Sequence, residues 1–97
     1  MAGGIRVTFA ASAVADLEEI LKYYTERQAP DVGKRVVGEI IERVEGLRSH
    51  PDKGRIVPEF HLKHLREIIH TPFRIVYRRD SGTVRIVRVW RSERLMK

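Results

Sequence analysis

The chain has 97 residues, no cysteine and a formal net charge of +6. That length suits one domain with a modest core, one that buries about 60–68% of the surface its unfolded form exposes. The charge is lopsided: residues 1–48 carry seven basic and eight acidic side chains, and residues 49–97 carry twelve and five, with fourteen Arg against five Lys overall.

A hydrophobic fraction of 42% beside 33% charged residues excludes a disordered tail. Missing cysteines exclude a disulfide framework, a thiolate metal site and a cysteine nucleophile. No run reaches the roughly 18 apolar residues of a membrane helix. Met1 to Arg6 lacks the charged-then-apolar layout of a secretion signal, so a cytoplasmic protein is expected, with no membrane partner.

Ile5 to Phe9 alternates apolar and polar residues and predicts a short strand with Ile5, Val7 and Phe9 on one face. A helix follows from Ala11 to Arg27, with Ala13, Leu17, Ile20, Leu21 and Tyr24 at three- and four-residue spacing. Ser12 is placed to cap it or to sit in its first turn. Gln28 to Asp31 is a break, and Pro30 suits the first turn of a second helix running to Arg48. Val36, Val37, Ile40, Ile41, Val44 and Leu47 form its stripe. Gly33 is the expected point of close approach between the helices, which make an antiparallel hairpin.

Ser49 to Gly54 reads as a turn. Arg55 to Val57 is a short strand or extended segment, and His64 to His70 a strand. Thr71-Pro72 interrupts, because proline donates nothing to a ladder. Phe73 to Arg79 alternates, with Phe73, Ile75 and Tyr77 against Arg74, Val76 and Arg78. Asp80-Ser81-Gly82 predicts a hairpin loop and Thr83 to Arg91 the last strand. Residues 92–97 read as a frayed tail. The fold class is α+β: an N-terminal strand, an antiparallel two-helix hairpin, then a C-terminal antiparallel sheet of three or four strands, all in one domain over 1–97.

Three constellations carry possible chemistry. Arg74, Arg78, Arg85, Arg88, Arg91 and, past the strand, Arg94 form a ladder suited to phosphate, or simply to a solvated strand face. Strand parity groups Arg88 with Val84 and Ile86, and Arg85 with Arg91. Pro58 to Arg66 packs Glu59, His61, His64 and Arg66 close together, and with Arg74 this offers a base, an acid and a cation for RNA cleavage, or ordinary loop polarity. Trp90, beside those arginines, suits base stacking or a core position. No cofactor or metal is expected, since His61 and His64 alone do not make a metal site.

Read together, Phe9, Ala13, Asp16-Leu17, His50-Pro51, Gly54-Arg55, Pro58-Glu59, Leu65-Arg66-Glu67, Phe73 to Arg78 and Val87-Arg88-Val89 resemble the RelE/ParE superfamily of type II toxin–antitoxin toxins over about residues 5–95. The resemblance implies a helical hairpin on an antiparallel sheet and a small basic toxin neutralised by a cognate antitoxin. It also implies one of two targets: DNA gyrase for the ParE-like branch, or ribosome-bound mRNA for the RelE-like endoribonucleases. Nuclease members place functional residues at positions matching Glu59 and Arg74, with Arg66 as a further candidate. They often end the last strand with His or Tyr, where this chain reads Trp90-Arg91-Ser92. That departure favours the gyrase branch, with the nuclease second and a nontoxic nucleic-acid- or partner-binding domain third. Arg78, Arg85, Arg88, Trp90, Arg91 and Arg94 are the expected target-binding residues.

Overall fold

The computed structural model describes residues 4–91. In chain order they form β1 (Arg6–Phe9), α1 (Ala11–Glu26), α2 (Pro30–Glu45), a 3₁₀ turn (Gly46–Arg48), β2 (Arg55–Ile56), β3 (Leu65–His70), β4 (Phe73–Asp80) and β5 (Thr83–Arg91). The strands make one sheet in the order β1-β5-β4-β3-β2. β2 to β5 pair antiparallel in succession, whereas β1 pairs parallel with β5. The helical hairpin carries the chain from β1 at one edge of the sheet to β2 at the other, and the antiparallel run through β3 and β4 returns it to β5 beside β1.

α1 starts after Ala10, which is extended and offers no capping side chain. Ser12 lies in the first turn and donates to the Val87 carbonyl 2.6 Å away. Three residues separate α1 from α2, and Gln28 takes φ 60° there. Gly33 is where the two helices meet: a Cβ on it would lie 3.0 Å from the Tyr24 Cβ. The second helix is shorter than its pattern predicts. It ends at Glu45 and tightens into the 3₁₀ turn, which keeps Leu47 fully buried. 3₁₀ tightening is a common way to finish a helix.

Ala13, Ile20, Ile40 and Val44 of the helices pack with Leu47 against Ile68, Phe73, Ile75, Tyr77, Val84, Ile86 and Val89 of the sheet. Ile5, Val7 and Phe9 close the margin of this core. Each large aliphatic side chain so buried contributes about 1.5–3 kcal/mol. Gly54 is buried where no side chain fits: a Cβ would meet the Glu67 carbonyl at 2.6 Å and the Tyr77 hydroxyl at 2.7 Å. The Tyr77 hydroxyl accepts from the Gly54 amide at 3.0 Å and donates to the Pro51 carbonyl at 2.8 Å, which ties the 49–54 turn to the core.

The β4–β5 turn is tighter than expected, since Asp80 pairs with Thr83 and leaves only Ser81 and Gly82 outside the ladder. Gly82 supplies the positive φ, 74°. A register shift at Val76/Tyr77 places Val76 opposite Arg88 and Tyr77 opposite Ile86. β5 therefore carries one extra residue, Val87, as in a β-bulge. Beyond the bulge the strand's faces exchange, so simple parity fails. Arg88 leaves the face of Val84 and Ile86. Arg85 stands opposite Arg78, whereas Arg91 stands opposite Phe73 and on the helix side.

Candidate functional site

Residues directly opposite in a ladder share a face. Tyr77, Ile75 and Phe73 face the helices, so Arg74, Val76 and Arg78 face away. Register adds Leu65, Glu67 and Ile69 from β3, Arg55 from β2, Arg85, Arg88 and Trp90 from β5, and Arg6 and Thr8 from β1. This open face holds the arginine ladder.

At one end of it the 57–64 segment folds back over the sheet. The Phe60 and His61 amides both donate to the Val57 carbonyl, and the Val57 amide donates to the Leu65 carbonyl. His61 takes φ 55° in the turn. The result carries Glu59 over Arg74. Nη1 and Nη2 of Arg74 each donate to one Glu59 carboxylate oxygen at 2.8 Å. Nε donates to Glu67 Oε1 at 2.6 Å, and the other Glu67 oxygen accepts from Arg55 Nε at 2.6 Å. Arg74 and Glu67 are 4% and 1% exposed. Val57 and Val76 are buried outside the main core.

The fork of hydrogen bonds from Arg74 pulls the Glu59 carboxyl down to about 2. The same bonds raise the Arg74 guanidinium above its ordinary value. A carboxylate that acidic is a weak base near neutral pH. A guanidinium buried between two carboxylates has its charge already matched.

Glu59 and Arg74 are thus brought together, and Arg66 is not. Arg66 stands opposite Tyr77 on the helix-side face, and its Nη1 donates to the Gly54 carbonyl at 2.9 Å. His61 and His64 are exposed.

Arg88 reaches around the sheet edge to α1. Its Nε and Nη2 donate to the Asp16 carboxylate at 2.8 and 3.0 Å, and the same carboxylate accepts the Val89 amide at 2.8 Å. Ser12 and Asp16 together satisfy β5 backbone groups where β1 has ended, so side chains of α1 continue the ladder. The Arg88 guanidinium also lies over the Trp90 ring, 4.9 Å from its centre. A cavity of about 400 Å³ opens between α1 and the end of β5, lined by Tyr23, Arg27, Phe73, Trp90 and Arg91 among others. Arg91 lies 5.7 Å from the Phe73 ring centre and Arg27 3.7 Å from that of Tyr23. Arg78 and Arg85 are exposed neighbours across the β4–β5 ladder. Arg94 lies outside the described residues, as does the tail expected to fray.

Sequence reasoning singled out Glu59 and Arg74 but gave no site role to Glu67 or Asp16. The signal for Glu67 was an acid between Leu65 and Ile69, the apolar residues that share its face of the strand. For Asp16 no local signal distinguishes it from Glu18 and Glu19. Among the described residues no group of three His, Asp or Glu is placed to hold a metal ion, and no helix is long and apolar enough to cross a membrane.

A two-helix hairpin thus packs on one side of a five-stranded sheet whose other side carries Arg6, Arg55, Arg74, Arg78, Arg85 and Arg88. The model of the ParE toxin of the type II toxin–antitoxin system parDE matches residues 7–96, and the chain belongs to that family. Its structure is similar to a chromosomal ParDE toxin–antitoxin system from P. aeruginosa, with 23% identity, a TM-score of 0.78, and 93% of this chain and 98% of that one covered. It is also similar to the RelBE2 toxin–antitoxin complex from Mycobacterium tuberculosis, with 22% identity, a TM-score of 0.69 and coverage of 91% and 98%. The E. coli DinJ-YafQ toxin–antitoxin complex is more distant, at 14% identity and a TM-score of 0.52, with coverage of 97% and 99%. No curated protein sequence matches the chain.

Proposed function

We propose that this toxin acts by binding, as an inhibitor of DNA gyrase, and is neutralised by a cognate antitoxin. The observation that carries the reading is the Arg74 fork closed on Glu59 and backed by Glu67. The two residues best placed for nuclease chemistry neutralise each other. β5 adds no histidine or tyrosine to move a proton: Trp90 stands opposite Arg74, and Arg91 follows it. Glu59, Arg66 and Arg74 then hold the loop, the turn and the sheet together, and recognition of a protein target falls to Arg88, Trp90 and Arg91. Membership of the ParE toxin family supports the same branch.

The antitoxin is expected to cover the cavity beside α1 and the adjoining end of β5, where arginines and aromatic rings alternate. Charge reversal at Arg88 and Arg91 should weaken its binding at least tenfold by calorimetry. Unchanged affinity would place the antitoxin elsewhere.

The test is inducible expression without antitoxin, following growth, transcript ends and the DNA-damage response together. Growth arrest with a damage response and intact transcripts is expected. Arrest with new mRNA ends would establish the ribosome-dependent nuclease instead. No arrest at verified soluble expression would establish a nontoxic binding domain.

A further inference from the structure

We propose that the β1–β5–β4 end of the open face, centred on Arg6, Arg85 and Arg78, binds the phosphodiester backbone of a nucleic-acid strand. Two adjacent cross-strand rows make the surface. In the first, Thr8, Arg85 and Arg78 stand side by side on β1, β5 and β4; in the second, Arg6, Thr83 and Asp80 do. Rows on one face lie about 6.6–6.8 Å apart and strands about 4.8 Å apart. Three guanidinium groups, two hydroxyls and one carboxylate, that of Asp80, therefore share a patch of a few strand widths.

The pattern is one that stability alone disfavours. Arg78 and Arg85 are like charges directly opposite in an antiparallel ladder, a pairing that weakens a sheet. Arg78 leans on Asp80 at 2.8 Å, and both are about half exposed. Among the described residues Arg6 and Arg85 have no ion-pair partner, and both are exposed. Elsewhere on the same face the fold matches its arginines: Arg74 and Arg55 with carboxylates of the closing network, Arg88 with Asp16.

Both a phosphate and a carboxylate suit an arginine fork. The apolar inventory decides between the partners that carry them. The exposed large apolar side chains are Val14, Tyr23, Ile41, Ile56, Phe60, Leu62 and Ile69, and none lies on β1, β4 or β5. An acidic protein segment would find no anchoring pocket on this patch, although anchors carry most of the affinity of protein interfaces. A phosphodiester backbone requires none, because counterion release supplies its binding. Trp90, on the same face further along β5, adds a stacking surface for an unpaired base.

Fluorescence anisotropy with a labelled oligonucleotide of about 15 nucleotides, as single-stranded DNA, duplex DNA and RNA, tests this across a salt series. Saturable binding of at least one form is expected, with affinity falling as salt rises. Arg6→Ala and Arg85→Ala should each flatten the log-affinity against log-salt slope by about 0.7–0.9. Lys34→Ala, which removes the same charge from exposed α2 surface, should leave the slope unchanged. Melting curves of the variants check that each is folded. No saturable binding at low salt would overturn the proposal. So would equal flattening by all three variants, which reports net charge only. Tighter binding of polyglutamate, lost with Arg6 and Arg85, would assign the patch to an acidic polypeptide and overturn it as well. The gyrase reading is scored on separate assays, so neither result decides the other.

Discussion

The open sheet face treats its arginines in two opposite ways. Around Arg74 the cation is buried, forked onto Glu59 and backed by Glu67, with Arg55 completing the chain of charges. Toward the β4–β5 turn, Arg85 on the next strand and Arg6 on the one beyond are exposed with no ion-pair partner among the described residues, and Arg78 stands against a like charge. The difference teaches that arginine content alone does not locate recognition. A guanidinium held by two carboxylates organises the fold, while one facing water and another guanidinium has charge to offer a ligand.

The comparison breaks most readily at its buried end. Arg74→Ala takes one of the two arginine partners from the buried Glu67, leaving Arg55, removes both bonds from Glu59, and should destabilise the protein by about 3 kcal/mol in urea unfolding. A loss below about 1 kcal/mol would mean the network carries little of the fold. Gly54→Ala forces a methyl group against the Glu67 carbonyl and the Tyr77 hydroxyl, and should cost about 1–3 kcal/mol in the same assay.

Acid sharpens the contrast further. The Arg74 fork depresses the Glu59 carboxyl from 4.5 to about 2 in the folded state. Its stabilising contribution is thus full above 4.5 and is lost as pH falls from 4.5 toward 2. The melting temperature should drop across that window, and Glu59→Gln should drop less. Equal acid sensitivity in both proteins would remove the fork from the account. Smallest of all, Arg6→Ala and Arg85→Ala should change stability by no more than about 0.5 kcal/mol, because neither side chain holds anything in place. A loss as large as that of Arg74→Ala would erase the distinction between the two ends.

Local pattern made the strands and helices legible. Alternation from Phe73 to Arg79 and the three- and four-residue spacing of Ile40, Val44 and Leu47 both report which side joins the helix–sheet core, although Arg74 and Val76 are buried on the other side of β4 as well. The parallel pairing of β1 with β5 was not legible, because nothing in Ile5 to Phe9 specifies a partner strand. The bulge at Val87 was also hidden. An inserted residue looks like any other until register is known, yet it moves Arg88 and Arg91 to opposite faces from those parity assigns. Glu59 and Arg74 were visible as residues but not as a pair, since the contact depends on how the 57–64 segment turns. Arg66 was grouped with Arg74 from its place beside the 58–65 segment, and the β3 register, which puts it opposite Tyr77 on the helix side, is not written in that local sequence.

The most direct measurement is DNA supercoiling by purified gyrase in the presence of the wild-type chain and of Glu59→Gln, with an mRNA cleavage assay on translating ribosomes run in parallel. If Glu59 serves the fold and the toxin works by binding, both proteins inhibit supercoiling to a similar degree and neither cuts message. If the wild-type chain leaves gyrase active and cuts message, and Glu59→Gln folds but does not cut, Glu59 is a catalytic group and the account is wrong.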